Sequence, residues 1–132
     1  MAFKATLSVD GGEEIRLLHV SYALNRSVDA TGRPASEVRG GTITMEVEST
    51  DDTSLLEWMM GSWTQKSGVI KFFKKAEEAK LKELKFENAY CVQYAESIDA
   101  VGDNPMTINF TISAEKISVG GASFKNPWPK NS

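Results

Sequence analysis

The chain has 132 residues, a quarter of them charged and 41% hydrophobic, with a formal net charge of −3. That length suits one domain with a core of its own, and the acidic balance lacks the basic excess of a nucleic-acid binder. The single cysteine, Cys91, excludes a disulfide within the chain, and no run approaches the ~20 apolar residues of a membrane helix, so no membrane insertion is expected.

Period-two alternation starts at once. Phe3, Ala5, Leu7 and Val9 alternate with Lys4, Thr6 and Ser8 up to the turn signal Asp10-Gly11-Gly12. The same alternation leaves no continuous apolar stretch of a secretory leader. Synthesis in the cytoplasm is therefore expected, and secretion only by a route without a cleaved signal peptide. Leu18, Val20, Tyr22 and Leu24 share the next strand face, with His19, Ser21, Ala23 and Asn25 opposite. A loop, DATGRPASEVRGG over 29–41, leads to a third strand whose Ile43, Met45 and Val47 point inward while Thr42, Thr44, Glu46 and Glu48 point out.

The segment STDDTSLLEWMMGSW breaks the pattern. Ser, Thr and Asp before an apolar run, with Gly61 after it, predict an N-cap, a short helix over 52–60 and a glycine C-cap. Asp51 and Asp52 suit the positive end of its dipole. Leu55, Trp58 and Met59 share one face, flanked by Leu56 and Met60, and only Glu57 is charged mid-helix. A helix apolar on more than one side either meets another chain or plugs the open end of a barrel.

Ile70 and Phe72 mark a further strand, followed by the charged KKAEEAKLKE as a polar hairpin tip or one or two helical turns. The run 80–98 exceeds an ordinary strand of five or six residues, so it bends or bulges near Asn88 and Ala89. Leu84, Phe86, Tyr90, Val92 and Tyr94 are its expected inner face, with Cys91 outward. Asp103-Asn104-Pro105 turns into the last long strand, where Met106, Ile108, Phe110, Ile112 and Ala114 face inward. Long antiparallel strands with one apolar face each predict a mainly β fold: a β-barrel with one short α-helix at its side, over 1–120. The segment 121–132, with two prolines and no periodicity, is expected to be an irregular tail that Phe124 and Trp128 could anchor.

Catalytic chemistry finds little support. His19 is the only histidine and has no acid or nucleophile beside it in sequence. One Cys and one His cannot build a zinc site of the usual type. Glu46, Glu48, Asp51 and Asp52 lack the ligand spacing of an oxygen-rich metal loop. No cofactor or metal is expected, and no enzyme activity.

The loop is the more informative feature. Gly32 and Gly40 stand too far apart for a phosphate loop, no Lys-Ser or Lys-Thr follows, and the segment feeds a strand rather than a helix. Gly32-Arg33-Pro34 reads as a turn, and Gly40-Gly41 as a flexible re-entry to the sheet. Arg33 and Arg39 suit docking to carboxylates on a partner; the bland alternative is a solvated hairpin loop. The uncharged outer faces, Thr42 and Thr44 with Thr107, Asn109, Thr111 and Ser113, suit a neighbour or a water-filled lumen better than open solvent.

DATGRPASEVRGGTITMEVESTDDTSLLEWM, SGVIKFFKK, LKELKFENAYCVQYAESIDA and NPMTINFTISA resemble the tube protein of the type VI secretion system, the haemolysin-coregulated protein (Hcp) family in its TssD form. The likeness runs from the first strand to about Val119 and rests on the combination of T-G-R-P, V-R-G-G and E-S-T-D-D with a short helix. It implies a structural subunit that forms hexameric rings, stacks them into a hollow tube driven by a contracting sheath, and carries effectors. Partners would be other copies of the chain, sheath and spike proteins, and effector proteins. The resemblance implies a ring-stacking loop comprising Asp29, Thr31, Gly32, Arg33, Pro34, Glu37 and Arg39, and a subunit-interface helix comprising Leu55, Leu56, Trp58, Met59 and Met60. Two alternatives compete with it. One is a barrel that binds a small hydrophobic ligand against Tyr90, Val92 and Tyr94; the other is an enzyme built on His19.

Overall fold

Seven strands and one helix follow one another along the chain: β1 Phe3–Val9, β2 Ile15–Tyr22, β3 Thr42–Glu48, α1 Ser54–Met60, β4 Lys66–Lys74, β5 Ala79–Ser97, β6 Thr107–Val119 and β7 Ala122–Lys125. They are seen in a computed structural model that describes residues 3–74, 79–98, 100–102 and 106–128. The Asp103-Asn104-Pro105 turn, the 75–78 part of the charged hairpin and residues 129–132 lie outside the described residues.

All pairings are antiparallel, in the order β3-β2-β1-β4-β5-β6. β6 then pairs back onto β3, from Thr42↔Ser113 to Glu48↔Thr107, so six strands close into a barrel. Closure gives each of these strands two neighbours and removes the open edge that would recruit other chains. Beyond β3, the remaining edge of β6 accepts β7, from Lys116↔Lys125 to Val119↔Ala122. The segment expected to be an irregular tail thus contributes a strand. Its apolar Phe124 sits opposite Ile117 in the ladder, a signal too short for periodicity to expose.

The interior is filled by side chains. Leu7, Ile43, Met45, Ile70, Leu84, Phe110 and Ile112 are wholly buried. At roughly 1.5–3 kcal/mol for each large apolar side chain, this set supplies the main favourable contribution to folding. Gly68 lets β1 and Phe86 close over β4, since a Cβ there would lie 2.7 Å from the Phe86 ring.

The inner faces differ from simple alternation at three bulges. In β2 the register shifts between Leu17 and His19, so Leu17 is buried and Leu18, the expected inner residue, is 42% exposed. In β5, Asn88 takes φ 54°, and the β4 ladder slips between Lys66 and Gly68. Beyond it Ala89 and Cys91 point inward, while Val92 is half-exposed. A bulge near Asn88 and Ala89 was expected, but an inserted residue also inverts every later face. Paired residues share a face, so β6 changes phase opposite it: Ala114 pairs with Ala89 and Ile117 with Phe86, and all four are buried. A further shift between Cys91 and Gln93 brings half-buried Tyr94 back against the core.

Helix α1 packs against β5. Leu55 and Trp58 are buried in the core cluster, and Trp58 stacks on Phe86 with centroids 6.4 Å apart. The indole Nε1–H donates to the carbonyls of Ala89 at 3.0 Å and Thr64 at 3.2 Å. Buried tryptophan normally finds such a partner. Asp52 helps at the start: its carboxylate accepts the Ser54 N–H at 2.9 Å, which holds its pKa below the ordinary value. The capping position itself is Thr53, whose hydroxyl donates to the Glu57 carboxylate and accepts no backbone N–H of the helix. Gly61 ends the helix with φ −82°, not the left-handed turn common for glycine, and its N–H donates to the Glu57 carbonyl at 3.0 Å.

Candidate functional site

Between Tyr22 and Thr42 the chain leaves the barrel as an arm. It is a two-ply ribbon rather than a loose loop. Asn25 and Arg39 exchange both backbone hydrogen bonds, at 2.8 and 2.7 Å, and Val28 bridges Pro34. At the tip the Asp29 carboxylate accepts from the Thr31 hydroxyl at 2.7 Å, the Thr31 N–H at 2.9 Å and the Arg33 N–H at 3.0 Å. Gly32 supplies the φ of 88° that the turn requires. The hydroxyl bond from Thr31, then the backbone bonds, lower the Asp29 pKa. The structure therefore groups Asp29, Thr31, Gly32, Arg33 and Pro34 at one tip, with Glu37 and Arg39 on the returning ply. All seven are exposed.

Val28, Arg26 and Asn126 add to the arm and were not singled out in sequence. Val28 is 63% exposed beside Pro34. Arg26, Arg33 and Arg39 are all exposed, and no ion pair engages them among the described residues. The root is fixed: Gly41, with φ 97°, is buried, and the Asn126 amide donates to the carbonyls of Gly40 at 3.1 Å and Ala114 at 3.0 Å. A Cβ on Gly41 would lie 2.8 Å from the Ala114 oxygen, so this re-entry is a pinned joint rather than a flexible one. Nothing in the local pattern around Asn126 signals that role.

At the other end of the β2–β3 pair lies a cleft of about 700 Å³. Its walls are the β1–β2 turn, the end of β3 and the start of α1. Ile15, Leu18, Val47, Leu55, Trp58 and Ile108 line its apolar part. Five carboxylates, from Asp10, Glu13, Glu14, Glu48 and Asp52, face two cations, Arg16 and Lys66.

The helix residues divide. Leu55 and Trp58 point into the barrel, Leu56 and Met59 are half-buried, and Met60 is 72% exposed. Near the helix end, Trp63, 84% exposed, meets the Tyr90 ring edge-on at 6.2 Å, and Trp128 lies 5.5 Å from the same ring. The ligand face proposed for Tyr90, Val92 and Tyr94 is not formed: Val92 faces outward and Tyr90 serves this outer aromatic cluster.

His19 is exposed opposite Glu46 on the β2–β3 ladder. Among the described residues no three His, Cys, Asp or Glu side chains come together as metal ligands. Burial pushes the Cys91 thiol up, partly offset by its contact with the Gln93 carbonyl, so it is a poor nucleophile. None of the described helices is long and apolar enough to cross a membrane.

Comparison with known proteins gives a consistent result. Residues 1–129 match the family model described as Hemolysin coregulated protein Hcp (TssD). Hcp1 from Flavobacterium johnsoniae is 48% identical, covering 93% of this chain and 99% of that one, with a TM-score of 0.87. Hcp1 from Salmonella typhimurium shares the fold at 13% identity and a TM-score of 0.74, covering 94% and 92% of the two chains. A chain of the sheath-tube complex of an extracellular contractile injection system, PVC, shares it at 20% identity and 0.58, covering 88% and 87%. No curated protein matches the sequence.

Proposed function

Because the chain belongs to the Hemolysin coregulated protein Hcp (TssD) family, we propose that it is a tube subunit of a type VI secretion system. It forms hexameric rings, and the rings stack head to tail into a hollow tube that carries effector proteins. The observation that carries this reading is the match over nearly the whole chain to an Hcp1 at 48% identity. The arm supports it from the physical side: a ribbon held at its root and tip, with guanidinium groups that no ion pair engages among the described residues, is organised to meet another surface. A heterologous contact that closes by rotation makes a ring, and one that repeats by translation makes a tube.

In this reading Asp29, Thr31, Gly32, Arg33, Pro34, Glu37 and Arg39 form the stacking arm. Met60, with Leu56 and Met59 beside it, meets the neighbouring subunit, while Leu55 and Trp58 hold the helix to its own barrel. The uncharged outer side chains of β3 and β6, among them Thr44 and Thr111, whose hydroxyls lie 3.2 Å apart, suit a water-filled bore. Assembly takes place in the cytoplasm with sheath and spike proteins, and the tube leaves the cell without a cleaved signal. Negative-stain microscopy and sedimentation of the purified chain test this proposal: rings of six are expected, and a strict monomer at high concentration overturns it.

A further inference from the structure

β7 and β3 lie end to end along one edge of β6. Both run antiparallel to it: Lys125 opposes Lys116, and Thr42 opposes Ser113. One backbone bond extends each ladder towards the other. The Asn126 N–H donates to the Glu115 carbonyl at 2.7 Å, and the Ala114 N–H donates to the Gly41 carbonyl at 2.7 Å. Asn126 and Gly41 therefore face neighbouring residues of β6, and the arm enters the sheet at the seam between the two strands. A side chain closes that seam. A Cβ on Gly41 would lie 2.6 Å from the Asn126 amide nitrogen, so glycine is what lets this amide reach past it to the Gly40 carbonyl. Gly40 in turn lies against Leu24 of the outgoing ply, whose side chain a Cβ there would strike. Both plies of the arm meet at the residue that Asn126 holds.

Asn126 is itself anchored. Pro127 follows it, and the Trp128 N–H turns back to the Asn126 carbonyl at 2.9 Å. The Trp128 ring lies 5.5 Å from that of Tyr90, a distance at which aromatic rings attract. Tyr90 is held in its turn: Gln65 donates to its hydroxyl at 3.1 Å, and Trp63 meets it edge-on. Tyr90, Ser113 and Thr42 stand in one row across β5, β6 and β3, which places this aromatic cluster beside the arm root. Residues 126–128 thus run from the arm root to the segment that follows α1. The arm, meanwhile, carries its own order in the Asn25–Arg39 and Val28–Pro34 bridges and the Asp29 turn. A ribbon of that kind turns as one piece, and its angle to the barrel is set at the root.

We infer that Asn126-Pro127-Trp128 is a strap that sets the angle of the arm. Asn126 is a positioning residue acting through Gly40, and Trp128 is a positioning residue acting through Asn126. This is a property of the single subunit, beyond the tube-subunit reading and testable apart from it.

Spin labels on the full chain measure that angle directly. Thr31→Cys at the tip and Ala95→Cys on β5, in a Cys91→Ala background diluted with unlabelled chain, report the distance from tip to barrel by pulsed electron spin resonance. Asn126→Ala is expected to shift and broaden the distance distribution. Trp128→Ala is expected to broaden it less, and Trp128→Phe to restore it, because a ring again packs on Tyr90. In the Asn126→Ala chain, amide exchange at Ala114 is expected to rise about tenfold, the scale set by one lost hydrogen bond, while Asn25 and Arg33 keep their rates because the ribbon swings intact. A distribution that Asn126→Ala leaves unchanged overturns the strap. So does faster exchange spread through the arm and the whole of β6, which is what a merely weakened barrel gives. Either result leaves the tube-subunit reading standing, since that reading falls only if the unmodified chain never assembles.

Discussion

The side-chain amide of Asn126 donates to the carbonyl of Gly40 at 3.1 Å, joining residues 86 positions apart. Its other bond, to Ala114, makes one amide group a clamp between the arm root, β6 and the segment after β7. Replacing Asn126 by Asp exchanges a two-hydrogen donor for a carboxylate facing two carbonyl oxygens. Asn126→Ala is expected to cost about 1–2 kcal/mol, and Asn126→Asp at least as much, because unmet polar groups cost more than the bond itself contributes. Urea unfolding of the purified chain measures both. Hydrogen exchange at the Ala114 amide, bonded to the Gly41 carbonyl at 2.7 Å, reports whether the joint opens locally.

Trp58 holds the helix against β5 by area and by its indole N–H. The two contributions can be separated. Trp58→Phe keeps much of the aromatic area but leaves the Ala89 carbonyl without its 3.0 Å donor, and a loss of about 1–3 kcal/mol is expected. Trp58→Ala also opens a cavity beneath α1, and about 3–5 kcal/mol is expected. If denaturant midpoints place the two variants together, the hydrogen bond rather than the packing dominates.

The fold was legible where one residue follows another in strict alternation. β1, β3 and the first half of β6 have the inner residues that period two assigns, Leu7, Ile43, Met45, Val47, Ile108, Phe110 and Ile112 among them. It became illegible at the bulges, because a bulge adds a residue without changing the composition around it. Leu18 was preferred to Leu17, and Val92 to Cys91, for that reason. The arm was legible from its glycines, proline and arginines as a segment, but its internal order depends on Asp29 meeting donors two and four residues away. The cleft was not legible: β1–β2 turn, β3 and helix meet only in space. The clamp at Asn126 joins segments too far apart for any local pattern to connect them.

Asp29 ties the arm tip to acid pH. Its folded pKa lies below the ordinary value of 3.8, chiefly through the Thr31 hydroxyl. A lowered folded pKa means that the carboxylate's contribution to the turn is complete above the unfolded value and is lost as pH falls through the folded one. The tip is therefore expected to hold its structure at pH 5 and above, within the window set by carboxylate titration, and to loosen only in strong acid. Amide exchange at Thr31 and Arg33 across an acid titration checks this. Asp29→Asn, which retains one acceptor oxygen but no charge, is expected to remove the pH dependence while keeping part of the order.

Assembly should separate from stability at the exposed sites. Arg33 and Arg39 are exposed, and Met60 is 72% exposed, so truncating or charging them is expected to change unfolding free energy by no more than about 0.5 kcal/mol. If the arm carries the axial contact as proposed, Arg33→Ala with Arg39→Ala is expected to shorten stacks while leaving single rings. Met60→Asp is expected to act on ring closure instead, placing a charge on the apolar outer side of α1. Salt distinguishes the two contacts. At an ionic strength near 1 M the screening length falls to about 3 Å, which weakens a contact built on exposed charges far more than one built on apolar side chains. Sedimentation of the unmodified chain at low and high salt should therefore lose stacks before rings. If rings and stacks dissociate together, or if the arginine variant stacks as well as the original, the arm does not carry the axial contact.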